Sequence, residues 1–223
     1  LQLFPMMPAL YDGLAAVLLA QGESQRAQQA LEAAVKLAPL AIRRQMQLGK
    51  LALDNEDFDS AGKAYRQAME QGRTSKFKSP DNYLGLAQAI TAQAGDGVLD
   101  KRLQIEVNQA LGELGKSYAN DPNVQLRSRL ALASSLMKSG EPKRAAQLAA
   151  EAAAELEKLP QLFAADAALN VASQLRALGQ ADASDVKQVL LDRLADPLSD
   201  LLDRSLDVLA QGTSIAEGEV DDV

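Results

Sequence analysis

A cluster of carboxylates is the first candidate for chemistry in this sequence. Asp54, Glu56, Asp57 and Asp59 fall within one short segment. Neighbouring carboxylates can exchange protons in catalysis or bind Ca²⁺. A calcium loop needs oxygen ligands at alternating positions and a closing Glu, and this segment lacks that pattern. We therefore expect the four carboxylates to lie in a solvated turn and at the start of the helix that follows it.

Other routes to catalysis are few. The sequence contains no His and no Cys, which excludes imidazole bases, thiolate nucleophiles, disulfides and nearly all zinc, haem and iron–sulfur sites. Gly95 and Gly97 do not form a phosphate-binding loop, because no strand precedes them and no Gly-Lys-Ser/Thr motif follows. No nucleophile–base pair is recognisable. The sequence predicts a protein that is not an enzyme, with no catalytic residue, no cofactor and no metal site.

The net charge of −7 is concentrated at one end. Residues 196–223 hold eight acidic residues and one basic residue, which leaves 22 of the 30 acidic and 22 of the 23 basic residues for the other 195 positions. A neutral body with an acidic tail is not typical of nucleic-acid-binding proteins, which require an excess of Lys and Arg, so we expect no nucleic-acid partner. No apolar run is long enough to predict a membrane span. The start lacks a basic signal-peptide region and an initiator Met, so we expect residues 1–7 to be a linker or the end of a preceding region.

The elements that position these residues follow from an internal repeat. When the segment from Tyr11 to Pro39 is shifted forward until Leu14 falls on Leu48, large residues fall on large ones and small residues on small ones. The matched pairs are Leu14/Leu48, Ala15/Gly49, Ala27/Ala61, Leu31/Tyr65 and Ala34/Ala68. Small residues at these positions allow the two helices of a repeat to approach closely, and large residues fill the space to the next repeat. We therefore expect Gly49 to lie at a close helix crossing.

This pattern resembles the tetratricopeptide repeat (TPR) family, whose period is about 34 residues. The residues that carry the resemblance in the first repeat are Tyr11, Leu14, Ala15, Leu18, Gly22, Ala27, Leu31, Ala34 and Pro39, and in the second Leu48, Gly49, Ala52, Phe58, Ala61, Tyr65 and Ala68. The second repeat departs from the family at Gln45, where an aromatic residue is usual, and at Arg73, where Pro is usual. The resemblance implies an all-α, superhelical solenoid of helix–turn–helix units, in which each repeat contributes a helix A and a helix B.

The predicted TPR-like array covers residues 8–160, with repeats at about 8–41, 42–73, 80–122 and 124–158. In the third repeat we expect a helix A from about residue 81 to 94 with Asp81 as its N-cap, and a long helix B from about 99 to 119 that absorbs the extra length of this repeat. A degenerate helical repeat and a C-terminal capping helix are predicted over 161–210. The acidic segment 211–223 is predicted to be a disordered tail.

The family resemblance also implies a binding surface, because the A helices of such arrays line a concave groove that holds a partner protein or peptide. The residues that the family register places in this groove are Arg43, Met46, Gln47, Lys50, Leu53, Leu84, Gln88, Arg127, Leu130, Ser134, Met137 and Lys138. The Lys and Asn set with which chaperone-binding relatives hold a terminal carboxylate is absent, since the first repeat offers Asp12, Ala16 and Leu19 instead.

A local excess of basic residues leaves two interpretations of that groove open. Residues 36–78 contain nine basic and five acidic residues. They form either an ordinary solvated helical face or a site for a partner with an acidic segment, and that segment could also be this chain's own acidic tail.

The context of the array is suggested by a second resemblance. Three segments are similar to the C-terminal TPR region of bacterial response regulators. They are Pro-Ala-Leu-Tyr-Asp-Gly-Leu-Ala near the start, Arg-Arg-Gln in the second repeat and the loop Lys-Phe-Lys-Ser-Pro-Asp-Asn-Tyr. That resemblance implies a cytoplasmic output module of two-component signal transduction whose receiver domain lies outside this chain. The alternative function is self-assembly, with a homodimer formed through the capping helix or the long helix of the third repeat.

Overall fold

Every regular element that the structure describes is a helix. The computed structural model describes residues 7–95 and 97–156, and none of them lies in a β-strand. The helices in these ranges are α1 Pro8–Ala20, α2 Ser24–Leu37, α3 Ile42–Asp54, α4 Phe58–Thr74, α5 Pro80–Gln93, α6 Lys101–Ser117, α7 Pro122–Lys138 and α8 Pro142–Leu156. The predicted all-α fold class is therefore confirmed. Most of the predicted linker, the helical region 161–210 and the acidic tail 211–223 lie outside the described residues.

The period of the sequence repeat is visible in the positions at which the helices begin. α1 begins at Pro8 and α3 at Ile42, while α2 begins at Ser24 and α4 at Phe58. Both steps equal the step from Leu14 to Leu48 in the sequence. The same step relates two left-handed turn residues, since Gly22 has a φ of 77° and Glu56 a φ of 60°. The first two predicted repeats thus share their helix starts and their turn conformation.

The chain divides into two compact units, Leu1–Leu114 and Gly115–Val223. The division falls inside α6, where the sequence predicts no repeat boundary. Unit 1 contains α1 to α5 and most of α6. The described part of unit 2 contains the end of α6 and the pair formed by α7 and α8.

Unit 1 consists of two layers of helices. Consecutive helices from α1 to α5 pack against one another, and α3 also packs against α5. An ion pair between Arg44 and Asp12 joins α3 to α1, and one between Arg66 and Glu106 joins α4 to α6. The odd-numbered helices of this unit therefore form layer A and the even-numbered helices layer B. One apolar cluster between the layers comprises Ala15, Leu18, Ala27, Ala30, Leu31, Val35, Leu48, Leu51 and Ala64.

The buried ring of Tyr65 lies between two glycines of layer A. A methyl group on Gly49 would lie 2.8 Å from the nearest Tyr65 ring carbon, and one on Gly85 would lie 2.3 Å from the ring. These distances are far below van der Waals contact, so only glycine leaves room for the ring at both positions. Burial of the phenol raises the pKa of Tyr65 to about 12. The expectation that Gly49 lies at a close approach is confirmed, and Gly85 is a second such site.

The connection between α4 and α5 corrects one prediction. Asp81 was expected to cap α5, but the N-cap is Ser79, whose Oγ accepts a hydrogen bond from the Asp81 backbone N–H at 3.3 Å. Pro80 occupies the first helical position, where its missing N–H costs nothing, and the cap therefore falls on the residue before it. Asp81 lies in the first turn of the helix, where its negative charge interacts favourably with the positive end of the helix dipole.

The third predicted repeat accommodates its extra residues differently from the expectation. A helix from about 99 to 119 was expected, but α6 runs from Lys101 to Ser117 and is no longer than α4. Part of the extra length instead lies in the connection from Ala94 to Asp100, which contains Gly95 with a φ of 52°. The apolar pattern alone does not separate a longer helix from a longer connection.

Candidate partner-binding surface

The candidate surface is the outward side of layer A in unit 1, which we call the A face. On α3, the predicted groove residues Arg43, Gln47 and Lys50 are exposed, and Met46 and Leu53 are half-buried. Because these positions are three or four residues apart, they share one side of the helix. The opposite side of α3 is buried through Leu48, Leu51 and Ala52. Layer packing thus leaves Arg43, Gln47 and Lys50 accessible and Met46 partly so, while the half-buried Leu53 also packs against a buried cluster formed by Ala52, Ala61 and Ala89.

Neighbouring helices continue this surface. Leu19 of α1 is 46% exposed, and it lies one repeat period before Leu53, at the equivalent position of its own helix. On α5, Gln88 is exposed, whereas Leu84 is buried. Leu84 therefore packs in the core and is not available to a partner. The A face combines apolar side chains at the C-terminal ends of α1 and α3 with cationic side chains along α3.

Arg43 and Lys50 differ from most other arginines and lysines of α3 and α4 in having no acidic partner within 7–95 and 97–156. Neither forms an ion pair with any residue that the structure describes. The neighbouring Arg44 is held by Asp12, with an N–O distance of 2.8 Å, and this hydrogen-bonded pairing raises the pKa of Arg44. The charge of Arg44 is therefore neutralised by Asp12, whereas no described residue neutralises Arg43 or Lys50.

Arg43 instead contacts an aromatic ring. Its guanidinium carbon lies over the Phe77 ring, 5.0 Å from the centroid. Within the α4–α5 connection that carries Phe77, the Phe77 backbone N–H donates a hydrogen bond to Ser75 Oγ at 3.0 Å. Ser79, two residues further on, is buried. The sequence shows this segment as a polar loop, and its one signal for the contact is a single aromatic residue between Lys76 and Lys78.

The arginines of α4 in layer B are paired across to α6. Arg66 Nε lies 2.6 Å from Glu106 Oε1, and Arg73 lies 2.8 Å from Glu113. Glu113 also accepts a hydrogen bond from the Tyr83 hydroxyl at 3.1 Å. The hydrogen bonds from Arg73 and Tyr83 outweigh desolvation and hold the pKa of Glu113 below its ordinary value. These contacts fix α4, α5 and α6 to one another.

The carboxylate cluster has the structural role that the sequence predicts. Asp57 caps α4, with its Oδ1 accepting a hydrogen bond from the Ser60 backbone N–H at 3.2 Å. It also accepts one from Gln28 Nε2 at 2.7 Å, which ties α2 to the turn before α4. Burial opposes ionisation of Asp57, but these hydrogen bonds outweigh it and the pKa is lowered. Asp54, Glu56 and Asp59 are exposed, and no group of metal-ligating side chains occurs within 7–95 and 97–156.

Unit 2 holds the remaining predicted groove residues on α7. Arg127 is exposed, Leu130 is buried with only 1% of its surface accessible, and the other three are half-buried. Those three are Ser134, Met137 and Lys138. Leu130 is buried, as are Ala133 and Ala145 in the pair formed by α7 and α8, so it is not a contact residue for a partner. None of the helices within the described ranges could cross a membrane.

Comparisons with known proteins bear on one of the predicted repeats. Residues 42–71 match the family described as tetratricopeptide repeat. A search of curated proteins finds no match. Among solved structures, this chain is similar to one described as "Crystal structure of YrrB: a TPR protein with an unusual peptide-binding site", with 18% sequence identity, a TM-score of 0.47 and coverage of 83% of this chain and 86% of that chain. The matched segment comprises α3 and most of α4, which are the helices that carry Arg43, Lys50 and Tyr65.

Proposed function

We propose that this chain is a non-catalytic protein–protein interaction module that binds a segment of a partner protein on the A face of unit 1. One observation carries the proposal. Arg43 and Lys50 are exposed and have no ion-pair partner among the described residues, whereas Arg44 on the same helix is neutralised by Asp12. The partner segment therefore carries an acidic residue. The match of residues 42–71 to the tetratricopeptide repeat supports the interaction role.

The A face also carries apolar side chains close to these two cations. Leu19 is 46% exposed, and Met46 and Leu53 are half-buried on the helix that carries the two cations. Protein interfaces commonly combine an apolar centre with polar contacts that set specificity. Apolar contact supplies most of the affinity, and charge supplies rate of association and selectivity. We therefore expect a partner segment in which a large apolar side chain lies near a carboxylate.

A charge-reversal pair with a matched control tests this proposal. Short linear peptides are selected from a random display library on the full chain, and the winners are synthesised and measured by fluorescence polarisation. Arg43→Glu with Lys50→Glu is expected to weaken binding at least about tenfold, because two charge-assisted contacts are lost. Lys36→Glu with Arg102→Glu changes the net charge equally at exposed positions on α2 and α6 and is expected to leave binding nearly unchanged.

Three results would contradict the proposal. They are a selection that enriches no peptide, equal losses in the two double variants, and no loss in either. Circular dichroism melting of both double variants is the control for folding, and we expect both to melt within a few degrees of the parent.

We propose further that the module is the cytoplasmic output region of a bacterial response regulator. This part of the proposal is supported by the sequence motifs quoted above. The sequence of the complete gene product tests it, since a receiver domain with a phosphoacceptor Asp is expected before Leu1.

A self-assembly module is the second candidate, and two exposed apolar side chains favour it. Val98 is 78% exposed and Ile105 is 55% exposed, and they flank the start of α6. Light scattering of the full chain across a concentration series tests this function. A mass that doubles with concentration, and that Val98→Ser with Ile105→Ser returns to the monomer value, would support a homodimer. A concentration-independent monomer mass would contradict it.

A further inference from the structure

We propose that Phe77 is a positioning residue that holds the Arg43 guanidinium ready to bind a carboxylate of the partner. The inference rests on the proposed function and names the anchor of the acidic residue within the A face. It starts from the observation that Arg43 of α3 lies over the Phe77 ring, 5.0 Å from the centroid, while having no ion pair with a described residue.

The pairing pattern of the other arginines sets Arg43 apart. In the described part of unit 1, four arginines pair with a carboxylate, and they are Arg26, Arg44, Arg66 and Arg73. Arg102 and Arg43 form no such pair with a described residue, and of these two Arg43 is the one with an aromatic contact in that part of the chain. A guanidinium over a ring gains from the interaction with the π electrons and keeps its in-plane N–H groups free. Those N–H groups are the ones that bind a carboxylate in a bidentate manner.

The backbone on both sides of Phe77 is tied to its neighbours. The Phe77 backbone N–H donates to Ser75 Oγ at 3.0 Å. Ser79 is buried and caps α5. Asn82, in the first turn of α5, is 1% exposed and donates from Nδ2 to the Ala68 carbonyl of α4 at 3.4 Å. With its backbone tied in this way, Phe77 presents its ring to Arg43 and restricts the rotamers of Arg43 before the partner arrives, and an arginine that is already ordered loses less entropy on binding.

The charges around Phe77 match a carboxylate. Lys76 and Lys78 flank the ring in sequence, and both are exposed. Lys78 acts electrostatically on Glu113, but that carboxylate is already bound by Arg73. Because Arg43 and Lys76 have no ion pair among the described residues, this corner of the A face has positive charge that the fold leaves unneutralised.

A double-mutant cycle tests the proposal on peptides selected with the full chain. For each acidic peptide, a twin is made in which Asp and Glu are replaced by Asn and Gln. Arg43→Ala is expected to weaken binding of the acidic peptide about tenfold. Phe77→Leu, which keeps an apolar side chain but removes the ring, is expected to weaken it about two- to fivefold. In the Arg43→Ala background, Phe77→Leu is expected to have no further effect.

Two conservative variants separate positioning from a merely structural role. Phe77→Tyr keeps the ring and is expected to retain parental binding. Arg43→Lys keeps the charge but lacks the planar group, and is expected to lose most of what Arg43→Ala loses. Melting temperatures of all variants are measured alongside, and equal melting of Phe77→Leu and Phe77→Tyr is expected.

The outcomes that overturn the inference are distinct from those that overturn the proposed function. Additive effects of Phe77→Leu and Arg43→Ala, or failure of Phe77→Tyr to retain binding, would each overturn the role of Phe77, while the A face could still bind an acidic peptide through Arg43 and Lys50. Equal binding of the acidic and amide peptides, or no effect of Arg43→Glu with Lys50→Glu on any selected peptide, would overturn the proposed function and this inference with it.

Discussion

The two faces of unit 1 use the same types of charged residue for different purposes. In layer B, Arg66 and Arg73 of α4 reach across to carboxylates of α6 and join the helices. On the A face, Arg43 and Lys50 have no such acid among the described residues, although Arg44 shows that α3 can place an arginine beside one. An excess of basic residues in a sequence therefore does not by itself indicate a binding site. The residues that indicate one are those that remain after the basic residues paired within the fold have been excluded.

The largest expected effect comes from enlarging the two glycines that lie against the Tyr65 ring. Gly85→Ala places a methyl group 2.3 Å from the Tyr65 ring, and Gly49→Leu forces a larger side chain against the same ring. Each is expected to lower the free energy of unfolding by about 1–3 kcal/mol or more, because the buried ring cannot move freely. Urea unfolding of the full chain measures this.

A matched glycine that lies away from Tyr65 is expected to change the stability in the opposite direction. Gly13 also lies in a layer A helix, but nothing lies within 4 Å of a methyl group placed there. Gly13→Ala is expected to stabilise by about 0.5–1 kcal/mol, since alanine favours the helix. Destabilisation by Gly13→Ala, or no change for Gly85→Ala, would show that the position of the Tyr65 ring is not what makes the glycines necessary.

A smaller effect is expected when the charges of the two faces are neutralised one at a time. Arg73→Gln breaks the pair with Glu113 in layer B and is expected to cost about 0.2–1 kcal/mol of stability, the usual worth of a solvent-exposed pair. Lys50→Gln on the A face is expected to leave the free energy of unfolding unchanged and to weaken peptide binding. If Lys50→Gln destabilises the fold as much as Arg73→Gln, Lys50 has a structural partner and the contrast between the faces disappears.

The smallest expected effect is a dependence of stability on pH that arises from Glu113 in layer B. The pKa of Glu113 is lowered in the fold by its hydrogen bonds with Arg73 and Tyr83. Ionised Glu113 therefore contributes its full share to the free energy of unfolding above the ordinary pKa of 4.5. That contribution is lost as the pH falls through the lower pKa that Glu113 has in the folded protein. Melting curves of the parent and of Glu113→Gln between about pH 6 and pH 3 should converge at acid pH. Parallel curves over the whole range would contradict this role of Glu113.

The sequence predicts the all-α fold class and the helix positions of the first two repeats, because the repeat period is visible along the chain. Repeated small and large residues place the helices and turns, and the close approach of Gly49 follows from the same register. The cap of α5 was assigned two positions too late, since Ser79 and Asp81 both favour caps and only the three-dimensional path around Pro80 selects one.

The candidate surface was only partly predictable from the sequence. Helical spacing alone puts Arg43 and Lys50 on one side of α3. It does not reveal that Leu84 and Leu130 are buried, because their burial depends on neighbouring helices. The contact between Arg43 and Phe77 joins α3 to a loop that lies beyond the next helix, and nothing in local sequence spacing encodes it.

The central claim, that a partner binds the A face, is tested most directly by lysine footprinting of the full chain. The chain is acetylated briefly with and without a selected acidic peptide, and the modification rate of each lysine is read by mass spectrometry. Lys50 of α3 is expected to be protected, whereas the exposed Lys36 of α2 and Lys63 of α4 are expected to react at unchanged rates. Unchanged reactivity of Lys50 together with protection of Lys36 or Lys63 would show that the partner binds layer B and would contradict the account.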